Sequence, residues 1–236
     1  MEHPTWKKQQ VRSMFNSIAP RYDFLNHFLS AGTDYLWRKK AIKLLENCHP
    51  KTILDIATGT GDLAIGAAKL NPEKIVGIDI ADDMLEIGRR KILAKKLDRI
   101  ISLEHGDSEN LRFDDGSFDA AMVAFGVRNF ENLEKGLKEM FRVLKENGMI
   151  VILEFSQPQM PVIRTIYQIY FKIMLPVVGR LVSGNRSAYQ YLPDSVGKFP
   201  AGKEMLGILE STGFRQTVFA PLSFGIATLY SGFKIG

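Results

Sequence analysis

Three acids and two glycines, set around one short loop, are the residues of this chain best placed to do chemistry. Asp55 sits at the carboxyl end of an apolar, β-branched run, Thr52 to Ile56. Gly59 and Gly61 follow, with Thr60 between them, and Asp62 opens a stretch of Leu, Ala and Ile with helical character. Asp79 closes a second apolar run twenty residues after Gly59, the distance at which an acid typically meets a ribose diol. Strand, glycine turn, helix is the order that lets a backbone approach a nucleotide. Two cofactor classes fit. Gly59-Thr-Gly61-Asp-Leu-Ala64 satisfies the dinucleotide pattern with Ala in last place, so a nicotinamide enzyme is a rival reading. A pyrophosphate is an anion that wants bare N–H groups at a helix start, and Asp55 and Asp62 would repel it. S-adenosylmethionine carries an ammonium and a sulfonium, which suit nearby carboxylates, and the acids favour it. The plain alternative is a glycine turn with no ligand.

The elements that must hold this loop follow from periodicity. Strands are predicted at 52–56, 74–79, 101–105, 118–125 and 149–155, and helices at 62–70, 82–96 and 131–145, the last stopped by Asn147-Gly148. This alternation predicts an α/β, doubly wound, parallel sheet with helices on both faces. Residues 7–47 read as helical: Val11, Met14, Phe15 and Ile18 share a face, Pro20 breaks it, and a second helix runs from Asp34, as N-cap, to Glu46. Its apolar face is expected to carry Leu36, Trp37, Ile42, Leu44 and Leu45. Residues 161–182 are the most apolar part of the chain, but Arg164, Lys172, Pro176 and Arg180 exclude a membrane span. Val162, Ile166, Ile169, Tyr170 and Ile173 form one helical face, either a core face or the wall of a pocket for a greasy substrate. The polar, aromatic residues 183–199 (with Asn185, Arg186, Tyr189, Tyr191 and Asp194) follow, then a helix at 202–212 ended by Gly213. Two β-rich runs, 214–220 and 227–235, close the chain around a turn from Pro221 to Gly225.

Composition narrows the class. The 236 residues suffice for one domain with a full core, and 45 % hydrophobic and 24 % charged content are ordinary for a globular protein. The net charge of +5 is spread along the chain, which permits attraction to an anionic membrane surface and does not argue nucleic-acid binding. Cys48 is alone, and His3, His27, His49 and His105 show no metal spacing, so no metal is expected. The N-terminus lacks an apolar signal region, and a cytoplasmic protein is expected.

With these residues in view, the sequence resembles the ubiquinone/menaquinone biosynthesis C-methyltransferase family, from about Val11 to Lys234. Four stretches carry the resemblance: Val11 to Asn26, containing Pro20-Arg-Tyr22-Asp23, with Ser30 and Trp37; Leu54-Asp-Ile-Ala-Thr-Gly-Thr-Gly-Asp62; Ala124-Phe-Gly-Val-Arg-Asn129; and Arg142-Val-Leu-Lys145 leading to Leu153-Glu-Phe-Ser156. The glycine stretch is common to most methyltransferases; the first and third are far more specific. The resemblance implies a single class I S-adenosylmethionine-dependent methyltransferase domain: a Rossmann-like, mostly parallel sheet with a C-terminal antiparallel hairpin. Residues 1–50 would form a helical N-terminal cover and 156–200 a lid insertion.

The same resemblance implies the donor contacts. Thr60 looks like the residue at the methionine end, Gly59 and Gly61 like the loop, Asp79 like the ribose ligand, and Asp107 and Ser108 like the adenine contacts. It departs from the family at Ala124, where Ser is common, at Asp34, where His is common, and at the Lys145-Glu-Asn-Gly148 turn. The implied reaction is methyl transfer to a ring carbon of a polyprenylated quinol: demethylmenaquinol, or a ubiquinone precursor. Arg128 is a candidate for stabilising the phenolate, Asn129 and Tyr22 for orienting it, and Asp23 for taking the proton. For Arg128 the competing expectation is a salt bridge tying the N-terminal helices to the sheet. Expected partners are that quinol and a peripheral membrane contact, with no nucleic acid and with room for a homodimer.

Overall fold

The structure is a computed structural model that describes residues 6–30, 32–178 and 186–236. His3, Arg180 and Asn185 lie outside those residues, as do the side chains of Lys172, Ile173, Arg186 and Tyr189. Among the described residues seven strands form one sheet: β1 (Thr52–Ile56), β2 (Lys74–Asp79), β3 (Ile101–His105), β4 (Phe118–Ala124), β5 (Leu144–Phe155), β6 (Arg215–Leu222) and β7 (Ala227–Phe233). Their order is β3-β2-β1-β4-β5-β7-β6. The first five run parallel, and β7 and β6 are added antiparallel. The order reverses between β1 and β4, and the crevice outside their carboxyl ends is where such sheets take ligands.

Alternation along each strand feeds two cores. Ile53, Met122 and Val151 point to the face covered by α3 (Thr33–Leu45), α4 (Asp62–Ala67) and α5 (Asp82–Ala94), through Trp37, Leu63 and Leu85. Leu54, Val76 and Ile150 point to the other, with Leu137 and Met140 of α6 (Leu133–Val143) and Met205 and Leu209 of α9 (Lys203–Thr212). Both faces of β1 are therefore dry, which leaves the loop after Ile56 as its first polar exit. Pro221 falls inside β6, an edge strand, where a missing N–H costs no ladder bond. The turn is only Ser223 to Gly225.

The N-terminal cover is α1 (Trp6–Ile18), α2 (Tyr22–Leu29) and α3, with Pro20 in the turn after α1. The residues between Pro20 and the helix expected from Asp34 thus form a helix of their own. Asp34 is not the N-cap of α3: Gly32, at φ 74°, takes that place. Asp34 is buried and accepts from Ser30, His27 and Arg38 instead. Of the expected face of α3, Trp37 and Leu45 are buried with Ala41, whereas Leu36 is exposed. α6 ends at Val143, and Asn147-Gly148 does not stop it. Those two residues make a tight turn inside β5, with Asn147 at φ 63° and no room for a Cβ at Gly148 beside the Lys145 carbonyl.

The insertion after β5 is α7 (Pro161–Val178) and α8 (Arg186–Lys198). Three residues of the expected core face of α7 do not face a core: Val162, Ile166 and Ile169 are 70, 60 and 52 % exposed, and among the α7 side chains described, Ile163, Tyr167 and Tyr170 turn partly inward.

Candidate active site

Strand β1 carries Asp55 to the carboxyl edge of the sheet and then turns sharply. Ala57, Gly59 and Gly61 all take positive φ, at 52°, 56° and 78°. The glycines make that path cheap, since a left-handed backbone penalises any Cβ. A Cβ on Gly59 would lie 3.8 Å from the Tyr22 ring, so the loop runs directly beneath α2. Asp79, at the end of β2, fastens the loop: its carboxylate accepts the Gly59 N–H at 2.9 Å and the Ala81 N–H at 2.9 Å. The Thr58 N–H is taken by the Ile78 carbonyl and the Gly61 N–H by the Thr58 carbonyl.

Two adjacent cavities open here. The larger, of about 650 Å³, runs along Asp79, Ile80 and Met84 to Gly106, Asp107 and Ser108. Lys8, Val11 and Phe15 of α1 close it from above, and Phe125, Gly126 and Asn129 wall the far side. The smaller, of about 320 Å³, is bounded by Arg38, Asp55, Thr60 and Ala124. Tyr22, Ala57 and Gly59 line both.

Asp55 is the unusual acid. Its Oδ2 accepts from the Thr58 hydroxyl at 2.6 Å and the Ala64 N–H at 3.1 Å, while its Oδ1 is buried without a partner. Burial pushes its carboxyl up to about 7, against those two hydrogen bonds. Burial likewise raises Asp79, partly offset by the Ala81 and Gly59 N–H groups. At the other end, Lys8 donates to Asp107 at 2.7 Å and pairs with Glu109 at 3.1 Å. Burial works against the charge on Lys8, but those two carboxylates outweigh it and hold the ammonium above its ordinary range.

The predicted residues divide. Gly59, Asp79, Asp107, Ser108, Tyr22 and Asn129 line the larger cavity, and Thr60 the smaller. Gly61 lines neither: a Cβ there would make only ordinary contacts with Leu103 and Ile92, and it is the backbone at φ 78° that asks for glycine. Asp23 also lines neither. It accepts from the Thr60 hydroxyl at 2.5 Å and from Lys91 at 2.8 Å, and Lys91 also pairs with Asp62. The carboxylate expected to take a proton is thus engaged in holding α2 to the glycine loop.

Arg128 stands just behind the cavity, 6 % exposed, bonded to Glu154 at 2.7 Å and to the Phe125 carbonyl. Its guanidinium lies over the Phe155 ring at 5.4 Å. The salt bridge expected of it exists, but it joins the loop after β4 to β5 and does not reach the N-terminal helices. Arg128 Nε and Asn129 Oδ1 are buried without partners, beside the cavity wall. Among the described residues, no group of three or more His, Cys, Asp or Glu could hold a metal ion.

Sequence reasoning missed Lys8, Arg38, Lys91 and Glu154. Only Glu154 carried a signal, a lone acid in the apolar run from Met149 to Phe155. The three cations look like solvated helix charges until α1, α3 and α5 are laid over the loop.

The site fits a donor that is cationic where it meets the loop. Asp55, Asp79, Asp107 and Glu109 line it against Lys8 and Arg38. The N–H groups of Thr58, Gly59 and Gly61, which a pyrophosphate would need, already have partners within the protein. The nicotinamide reading fails on that geometry.

Comparison with known proteins agrees. The family model described as "ubiE/COQ5 methyltransferase family" matches residues 4–234. A demethylmenaquinone methyltransferase of Bacteroides fragilis is 48 % identical, over 97 % of this chain and 94 % of that protein. The ubiquinone/menaquinone biosynthesis C-methyltransferase UbiE of a Geobacter species is 47 % identical, over 97 % of each. Among solved structures, a SAM-dependent methyltransferase from Thermotoga maritima shares the fold, with TM-score 0.64 and 20 % identity over 94 % of this chain and 99 % of that one. On the match of nearly its whole length, this chain belongs to the ubiE/COQ5 methyltransferase family.

Proposed function

We propose that this protein transfers a methyl group from S-adenosylmethionine to a ring carbon of demethylmenaquinol, giving menaquinol. The observation that carries the donor is the glycine loop itself, where the N–H groups of Thr58, Gly59 and Gly61 are taken internally while Asp55 keeps one buried oxygen, Oδ1, without a partner. The quinol is supported by the family and by the 48 % identical demethylmenaquinone methyltransferase. The second reading, a ubiquinone precursor, is favoured by the Geobacter relative, whose name covers both quinones.

The bound donor supplies an electrophilic methyl on a sulfonium. The residues do the rest. Asp79 meets the ribose, Asp107 and Ser108 the adenine, and Thr60 the methionine end, with Gly59 keeping the loop close beneath Tyr22. A quinol hydroxyl loses its proton, and the resulting phenolate places charge on the adjacent ring carbon. That carbon attacks the methyl in line; a C–C bond forms as the C–S bond breaks, loss of the ring C–H proton restores the aromatic phenolate, and its oxygen takes a proton back from water to give the quinol. Arg128, through its free Nε, stabilises the phenolate, and Asn129 and Tyr22 orient it. Because Asp23 is paired with Lys91 and Thr60, water at the cavity mouth takes the phenolic proton.

The prenyl tail explains the exposed face of α7. Trp37 donates to Ser223, and a Cβ on Gly225 would lie 3.5 Å from the Pro158 backbone, so exposed Leu36, Phe224 and Met160 share the end of the molecule from which α7 departs. This apolar face rests on the membrane surface, where the substrate's tail lies. No described helix is long and apolar enough to cross a membrane. Flotation with anionic phospholipid vesicles tests it: the protein floats, and Ile166→Glu/Ile169→Glu does not. A dimer in sedimentation that dissociates in the same variant, without flotation of either, would assign the face to a second copy of the chain.

The substrate is tested by comparing kcat/KM for short-chain demethylmenaquinol and for the benzoquinol precursor under reducing conditions. At least tenfold preference for the naphthoquinol is expected; the reverse preference would establish the second reading.

A further inference from the structure

The smaller cavity has a charge pattern that the loop alone does not explain. Arg38 reaches it from α3, its side chain 12 % exposed. Nη1 is paired with Asp34, and the guanidinium lies 5.6 Å from the centre of the Phe125 ring. Asp34 is itself fixed by Ser30 at 2.7 Å and His27 at 2.9 Å, so the guanidinium is held from behind. No other hydrogen bond of Arg38 is made among the described residues. Across the cavity stands Asp55, with its buried, unpartnered Oδ1. Asp62 lines the same space but is paired with Lys91, so Arg38 and Asp55 are the cation and anion left to face it, beside the donor cavity with which it shares Tyr22 and Gly59. The other lining cation, Lys8, is spent on Asp107 and Glu109 at the opposite end.

We propose that Arg38 is the anchor for the carboxylate of an α-amino acid zwitterion, with Asp55 facing its ammonium, so that the two grip the amino-acid end of the methyl donor. This deepens the donor reading and rests on it. Arg suits the task because its planar fork can bond Asp34 with one edge and present its remaining N–H groups to a second carboxylate. Such a receptor selects donors by their amino-acid end. Ligands with the adenosyl group but no carboxylate fill the larger cavity and leave Arg38 unanswered. Arg38 is a positioning residue: it sets where the sulfur lies and touches no reacting atom.

The test is calorimetric binding of three ligands: S-adenosylhomocysteine, its decarboxylated counterpart, and 5′-methylthioadenosine. Wild-type protein should bind the first about 10- to 100-fold more tightly than the second, as expected for a lost charge-assisted contact. Arg38→Met should weaken S-adenosylhomocysteine by a similar factor and leave the decarboxylated ligand within about twofold. Arg38→Lys should fall between. Because the wild-type comparison alters only the ligand, it stands even where Arg38→Met folds poorly. Equal wild-type affinity for the first two ligands would overturn the proposal, as would equal weakening of both by Arg38→Met. Discrimination against methylthioadenosine alone would leave Asp55 a role and remove Arg38. Failure of all three to bind wild-type protein would instead overturn the donor reading.

Discussion

Replacing Arg128 by Met removes a cation from one of the driest places in the molecule. Glu154, its partner, is fully buried in β5, and burial pushes its carboxyl up while Arg128 pulls it back. Without Arg128 the carboxylate keeps only the Phe155 N–H at 2.8 Å and the backbone N–H of residue 128 at 3.3 Å. Breaking a buried pair from one side typically costs about 3–5 kcal/mol, a large share of the roughly 5–15 kcal/mol that holds a domain together. Glu154 can escape by taking a proton. Its folded-state pKa in the variant then lies above its ordinary 4.5, so the variant keeps more stability at low pH and loses it as pH rises through that range. Urea denaturation at pH 5.5 and pH 8 measures both: a loss of about 3 kcal/mol or more at pH 8, and a smaller one at pH 5.5. Arg128→Met/Glu154→Gln should recover most of it, since the coupling is direct. A single-variant loss below about 1 kcal/mol, or one independent of pH, would refute the reasoning. The double variant also separates stability from chemistry: if it is stable, binds donor and turns over at the wild-type rate, Arg128 has no part in stabilising the phenolate.

Three further predictions follow from the cavity walls. Asp55 has a folded-state pKa near 7 against an ordinary 3.8, so its contribution to stability is intact below pH 3.8 and is lost as pH rises to about 7. Asp55→Asn should therefore gain stability relative to wild type across that window, by up to about 4 kcal/mol less the lost hydrogen bonds, and weaken donor binding; thermal melts at pH 5 and pH 8 read the difference. Lys8→Met opens the clasp between α1 and Asp107, and should speed donor release about fivefold in stopped-flow fluorescence with little effect on melting. Gly126→Ala puts a Cβ 2.5 Å from that of Ala57, which must push the loop after β4 off the loop after β1; donor affinity should fall at least tenfold by calorimetry while the fold survives.

Much of this could be read from residue order. The five parallel strands, the reversal of strand order beside the glycine loop and the closing hairpin all follow from short apolar runs with turn residues between them, because buried parallel strands advertise themselves by continuous hydrophobicity. The misreadings have local causes. Asp34 looks like an N-cap because Asp usually is one, but a left-handed Gly32 serves α3, and the acid is drawn inward by Arg38 and His27. Asn147-Gly148 looks like a helix stop because that dipeptide favours positive φ, and a turn inside β5 asks for the same. The apolar stripe on α7 was visible, but no periodicity says whether a stripe is buried in a core or left exposed. Lys8 and Lys91 were hidden for a different reason: their partners Asp107 and Asp23 are 99 and 68 residues away along the chain, while Arg38 pairs with Asp34 on its own helix, a spacing that says nothing of the cavity it lines. A helix charge that pairs with its neighbour leaves a spacing signal; one that reaches over a loop leaves none.

The most direct measurement is transfer from S-adenosylmethionine labelled as the trideuteromethyl donor to a short-chain demethylmenaquinol kept reduced, with the product fragmented in the mass spectrometer. The account predicts one trideuteromethyl group on the quinone ring, dependent on reductant and abolished by S-adenosylhomocysteine. A label on oxygen, or no transfer to the reduced quinol by protein that binds the donor, would contradict it.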